Sequence, residues 1–101
     1  MSAKTAKQLA RMEGWRGDAY VYEVDPPMSY TEEYDGPVLT TPYVIVSASV
    51  VSITGPETYI FPAKKTGDVF EVADWGELDG SFRGGLDRAE ALANAGYVVS
   101  S

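Results

Sequence analysis

The stretch Tyr43–Thr54, YVIVSASVVSIT, constrains this chain more than any other. Read with the two-residue period of a strand, one face carries Val44, Val46, Ala48 and Val50. The other carries Tyr43, Ile45, Ser47, Ser49, Val51 and Ile53. Both faces are largely apolar, which predicts a central strand with at least one face covered by a helix. Ser47, Ala48 and Ser49 leave room for close packing or a bulge at its middle. A chain of 101 residues is long enough for one such core and too short for two.

The other elements are read around that strand. Ala19–Val24 is aromatic and β-branched and predicts a strand that Asp25-Pro26-Pro27 ends, because proline donates no ladder hydrogen bond. Residues 25–42, with four prolines, then read as the longest loop. Gly55-Pro56 turns the chain into a strand at Thr58–Phe61, ended by Pro62. Lys64–Asp68 reads as a hairpin loop and Val69–Val72 as the strand that completes a meander. Residues 74–85 form a second loop. Asp87 is a helix N-cap with Glu90 three residues on and Leu86 placed to staple onto Ala91, and Gly96 is the stop. Tyr97–Val99 adds a short final strand. At the other end, Thr5-Ala6-Lys7-Gln8 fits a capping box, so a short helix is expected from Thr5 to Gly14. The expected fold is α+β: a three- to four-stranded, mainly antiparallel sheet with the 87–95 helix on one face and a short N-terminal helix. Residues 1–16 form a basic arm and residues 17–101 the domain.

Composition excludes much chemistry. There is no Cys and no His, which removes disulfides, Cys/His metal sites and every Cys–His or Ser–His nucleophile. The net charge of -7 is uneven: Lys4, Lys7, Arg11 and Arg16 stand against Glu13 in the arm, and the body is strongly acidic. Such a body repels phosphate, so direct nucleic-acid binding by it is not expected. No apolar run is long enough to span a bilayer and no secretory leader is read at the N-terminus, so no membrane partner and a cytoplasmic setting are expected.

Several motifs fail on spacing or environment. An EF-hand register ending the Asp74–Asp79 cluster would put Trp75 at the first ligand position and Leu86 at the last. Gly76–Gly80 lacks Walker spacing and sets acids where phosphate would sit. Arg83-Gly84-Gly85 precedes a helix whose cap, Asp87, competes for the same amides. Lys64 and Lys65 fall in a turn, where they stay protonated and cannot serve as general bases. No catalytic residues, cofactor or metal ligands are therefore expected, and the chain is read as a non-enzyme.

Aromatic residues point elsewhere. Tyr20, Tyr22, Tyr43, Tyr59, Phe61 and Phe70 fall in strands, where packing accounts for them. Tyr30, Tyr34 and Trp75 fall in loops among Glu32, Glu33, Asp35, Glu77 and Asp79. Loop Tyr and Trp supply large contact area at low entropic cost, and carboxylates steer toward a basic patch. These eight residues form the expected protein-binding surface.

The segments EEYD (Glu32–Asp35), YVIVSA (Tyr43–Ala48), GPETYIFPA (Gly55–Ala63) and WGELDGSFRGGLDRAEALANAGY (Trp75–Tyr97) resemble small orphan proteins encoded by actinobacteriophages and related prophages. The resemblance covers most of the chain outside residues 1–16 and carries no catalytic residues with it. It implies a phage accessory protein. The expected function is thus binding of a host or phage protein. The alternatives are an assembly protein self-associating through its sheet edge, and an acidic nucleic-acid mimic that occupies a basic groove.

Overall fold

In a computed structural model the chain is described at residues 4–15, 17–31, 36–51, 55–73, 78 and 80–100. Among these residues the strands are β1 (Thr5–Arg11), β2 (Asp18–Tyr30), β3 (Leu39–Val51), β4 (Gly55–Thr66), β5 (Val69–Val72), β6 (Phe82–Arg83) and β7 (Val98–Ser100), with one helix, α1 (Arg88–Asn94). They form a seven-stranded mixed sheet in the order β5-β4-β3-β2-β1-β7, with β6 beside β4. The pairs are antiparallel except β1–β7, which is parallel. As expected, β3 is central, flanked by β2 and β4.

The expectation of a three- to four-stranded sheet with an N-terminal helix is corrected. Residues 5–11 are a strand inside the sheet, between β2 and β7. Capping and propensity favour a helix there only weakly. Pairing on both sides satisfies the backbone across the sheet and buries Ala6 completely against Val24 and Val99.

Proline positions account for the other differences. The β2 strand runs past Pro26 and Pro27 to Tyr30, and its register with β3 shifts between Glu23 and Met28, where the missing donors fall. Much of the loop expected over residues 25–42 is therefore strand, since β2 reaches Tyr30 and β3 begins at Leu39. Likewise β4 continues through Pro62. The Pro62 carbonyl accepts from Ala73 N at 2.8 Å and that of Pro56 from Gly84 N at 2.8 Å, so both prolines turn their donorless nitrogens away from β3. Between them Ile60 uses the same outer edge, its carbonyl accepting from Leu78 N at 2.8 Å and its amide donating to Ser81 Oγ at 2.9 Å. The outer edge of β4 is thus closed piece by piece by β5, Leu78–Ser81 and β6, which blunts it against edge pairing.

The helix covers one face. Ala91 and Leu92 pack with Ala6, Tyr22, Val24, Val44, Val46, Ile60 and Tyr97. Each large apolar side chain buried there contributes about 1.5–3 kcal/mol. Asp87 caps α1 as expected, accepting from Glu90 N at 3.0 Å, and the helix stops before Gly96. Leu86, expected to staple onto Ala91, is instead exposed. Arg88 fastens the helix to the sheet: its guanidinium lies 4.2 Å from the centre of the Tyr20 ring, and its Nε donates to the Tyr22 hydroxyl at 3.3 Å.

Candidate functional site

The opposite face of the sheet carries no helix among the described residues. Its floor is Ala19, Val21, Ile45 and Ala63, all fully buried, with half-buried Met12, Trp15, Tyr43, Phe70 and Val72 packed against it. A sheet has to cover both faces, and among the described residues side chains form the second layer here. Ala19 and Ala63, the small members of the floor, leave room for the rings to lie low over the strands.

Two ring groups line this face. Trp15, from the β1–β2 connection, lies 6.2 Å from Phe61, and Phe61 lies 6.1 Å from Tyr59. Tyr59 and Phe61 are two residues apart on β4 and so point the same way. In register with them on β3 stand Ser47 and Ile45. The second group is Tyr43 against Phe70, edge-on at 5.2 Å, with Lys65 Nζ 5.9 Å from the Phe70 ring.

At the end of the first row sits a charged group. Glu57 is only 4% exposed and lies opposite Arg83 in the β4–β6 pair. Arg83 Nε stands 3.4 Å from Glu57 Oε1 and donates to the Tyr59 hydroxyl at 3.2 Å. The hydrogen bond to Glu57 raises the Tyr59 hydroxyl above its ordinary pKa of 10.0, while Arg83 pulls the other way. A neutral phenol at ordinary pH can donate, and Arg83 keeps two-thirds of its side chain in solvent. The row Trp15–Phe61–Tyr59 with Arg83 therefore offers aromatic area ended by a cation, with the Tyr59 hydroxyl held between Glu57 and Arg83. Those are the chemical types that dominate protein-binding hot spots.

Of the eight residues expected from the sequence to bind a partner, Tyr30 alone lies among the described residues. It is the last residue of β2, half-buried and in register with Leu39, rather than in a loop. Glu32, Glu33, Tyr34, Asp35, Trp75, Glu77 and Asp79 lie outside the described residues.

Comparison with protein families, curated proteins and solved structures finds no match to this chain.

A further concavity lies on the helix-free side near β1. It is a shallow depression of about 460 Å³ lined by Thr5, Lys7, Glu23, Val24, Asp25, Pro27 and Pro42. Among the described residues no group of three or more His, Cys, Asp or Glu side chains converges as a metal site. No helix among them is long and apolar enough to cross a membrane.

Sequence reasoning passed over Trp15 and assigned Tyr59 and Phe61 to packing. The signal was the alternation in β4, where Thr58, Ile60 and Pro62 are buried on the helix side while Tyr59 and Phe61 are half-buried. An aromatic stripe opposite an aliphatic one marks a second face that no helix covers.

Proposed function

We propose that this chain is a non-catalytic binding domain that engages another protein through the ring-bearing, helix-free face of its sheet. One observation carries the reading: the half-buried row Trp15–Phe61–Tyr59, ended by Arg83. Rings already held on a pleated floor lose little freedom on contact, so their burial in an interface goes mostly into affinity. The acidic segments with Glu32, Glu33, Asp35, Glu77 and Asp79 would then steer a basic partner toward the domain, with Tyr30, Tyr34 and Trp75 as a second contact. The likeness of several segments to actinobacteriophage proteins supports an accessory role in the cytoplasm of an infected host.

The test is affinity capture from an actinobacterial lysate with three forms of the protein, each shown to be folded by far-UV circular dichroism. The wild type retains a partner, Trp15→Ala/Tyr59→Ala loses it, and Tyr30→Ala/Tyr34→Ala weakens it. If a folded Trp15→Ala/Tyr59→Ala protein keeps every partner, the sheet face is not the binding surface.

A further inference from the structure

The β1 edge has a second, chemically different character. The β7 strand pairs with β1 over Thr5–Lys7 only. Beyond it Gln8, Leu9, Ala10 and Arg11 are exposed, Leu9 by 39%, with β2 on their inner side and no strand on their outer side among the described residues. The ladder to β7 starts one residue before β1, where Val98 N donates to the Lys4 carbonyl at 2.9 Å, and continues as the pairing of Thr5–Lys7 with Val98–Ser100. A strand added past β7 would continue that ladder.

Charge selects what can add. No acid lies on β1, which carries Lys7 and Arg11. Lys7 faces the helix-free side, in register with Glu23, and Arg11 faces the helix side, in register with Tyr20. The register shift between Gln8 and Ala10 puts these cations on opposite faces, so an incoming strand meets a positive charge whichever way its side chains alternate. The nearest acid on the helix side, Asp18, lies between two guanidinium groups, 4.0 Å from Arg11 and 3.8 Å from Arg88. The net charge of -7 works against an acidic visitor, but at physiological salt charges further off than about 8 Å are largely screened. Beside the edge Glu23 stands across from Lys7, and Asp18 is shared by Arg11 and Arg88, so of these groups the cations outnumber the acids by one. The cations also set a second copy of β1 at a disadvantage, because its Lys7 and Arg11 would approach their own kind.

We propose that the Gln8–Arg11 edge takes an acidic, extended peptide segment of another protein as an added strand. The main chain supplies the hydrogen bonds, Leu9 supplies apolar contact, and Lys7 and Arg11 select acidic side chains. This surface is separate from the aromatic row.

The probe is a short fluorescein-labelled peptide of alternating Glu and Val, with the Lys–Val peptide as control. Binding is read by fluorescence anisotropy and by amide hydrogen exchange of the full chain. The Glu–Val peptide is expected to bind and to slow exchange at residues 8–11, and Lys7→Glu/Arg11→Glu to weaken it by about tenfold or more. Both positions are exposed, so the doubly substituted protein is expected to fold. Wild-type affinity falling with added salt is the parallel readout. Trp15→Ala/Tyr59→Ala leaves peptide binding unchanged, which separates a failure here from a failure of the aromatic face. Equal affinity for the Lys–Val peptide, an unaltered affinity after charge reversal, or protection appearing elsewhere overturns the proposal. So does protection of residues 8–11 that grows with protein concentration in the absence of peptide, which assigns the edge to a second copy of this chain.

Discussion

Replacing Gly80 by Ala tests how the segment after β5 is seated. Gly80 has φ +105, and a Cβ there would collide with the Ala91 carbonyl oxygen and stand 3.0 Å from Ala95 Cβ and 3.0 Å from Ile60 Cδ1. Two costs add. The left-handed backbone costs an alanine about 1–2 kcal/mol. Forcing a methyl between α1 and β4 costs about 1–3 kcal/mol more, since the nearest atom is backbone and cannot swing aside. Against this, alanine restricts the unfolded chain and returns about 0.4–1 kcal/mol. The net loss is about 3 kcal/mol, a large part of the roughly 5–15 kcal/mol that holds a domain of this size together. The control is Gly67→Ala in the β4–β5 turn, with φ +61 and nothing within 4 Å of the added Cβ. It carries the backbone cost alone, about 1 kcal/mol or less. Urea unfolding followed by circular dichroism measures both, and the difference between them isolates the collision. If the two variants unfold within about 0.5 kcal/mol of each other, Leu78–Ser81 is not wedged between helix and sheet and the account of the sealed β4 edge is wrong.

Two further outcomes follow from the helix and its neighbour. Asp87→Ala removes the cap on Glu90 N and is expected to lower stability by about 1 kcal/mol in the same unfolding assay, with an unchanged result refuting the capping role. Burial, and then Asp25, raise the Tyr97 hydroxyl above its ordinary 10.0, while the hydroxyl donates to the Pro26 carbonyl. The fold favours the neutral phenol, so this contribution is complete below pH 10 and is lost as pH climbs through the raised value. Thermal unfolding of the wild type should therefore weaken above pH 10, and Tyr97→Phe should weaken less steeply there. Parallel pH profiles for the two proteins would dismiss Tyr97 as the source.

What could be read from the sequence was the locally encoded part. Asp87, Glu90 and Gly96 define a helix through contacts a few residues apart, and Tyr43–Thr54 announces by composition alone the central strand, which is described as far as Val51. What could not be read depended on partners distant in the chain. Thr5–Arg11 carries helix-like local cues, but its fate is decided by β2 and by residues 98–100 at the far end of the chain. Pro26, Pro27 and Pro62 stop a strand only where their nitrogens face a partner, and a sequence does not show which edge that is. The same holds for the site. The Tyr59–Phe61 alternation was visible, while the approach of Trp15 to Phe61 needs the β1–β2 connection to cross the helix-free face.

The most direct test of the binding face is site-specific photo-crosslinking in living bacteria. Benzoylphenylalanine is placed at Tyr59 in one form and at Ala93, exposed on the helix, in another. The account predicts a discrete crosslink to another protein from position 59 and none from position 93. Crosslinks of the same identity and yield from both positions, or from the helix alone, would contradict it.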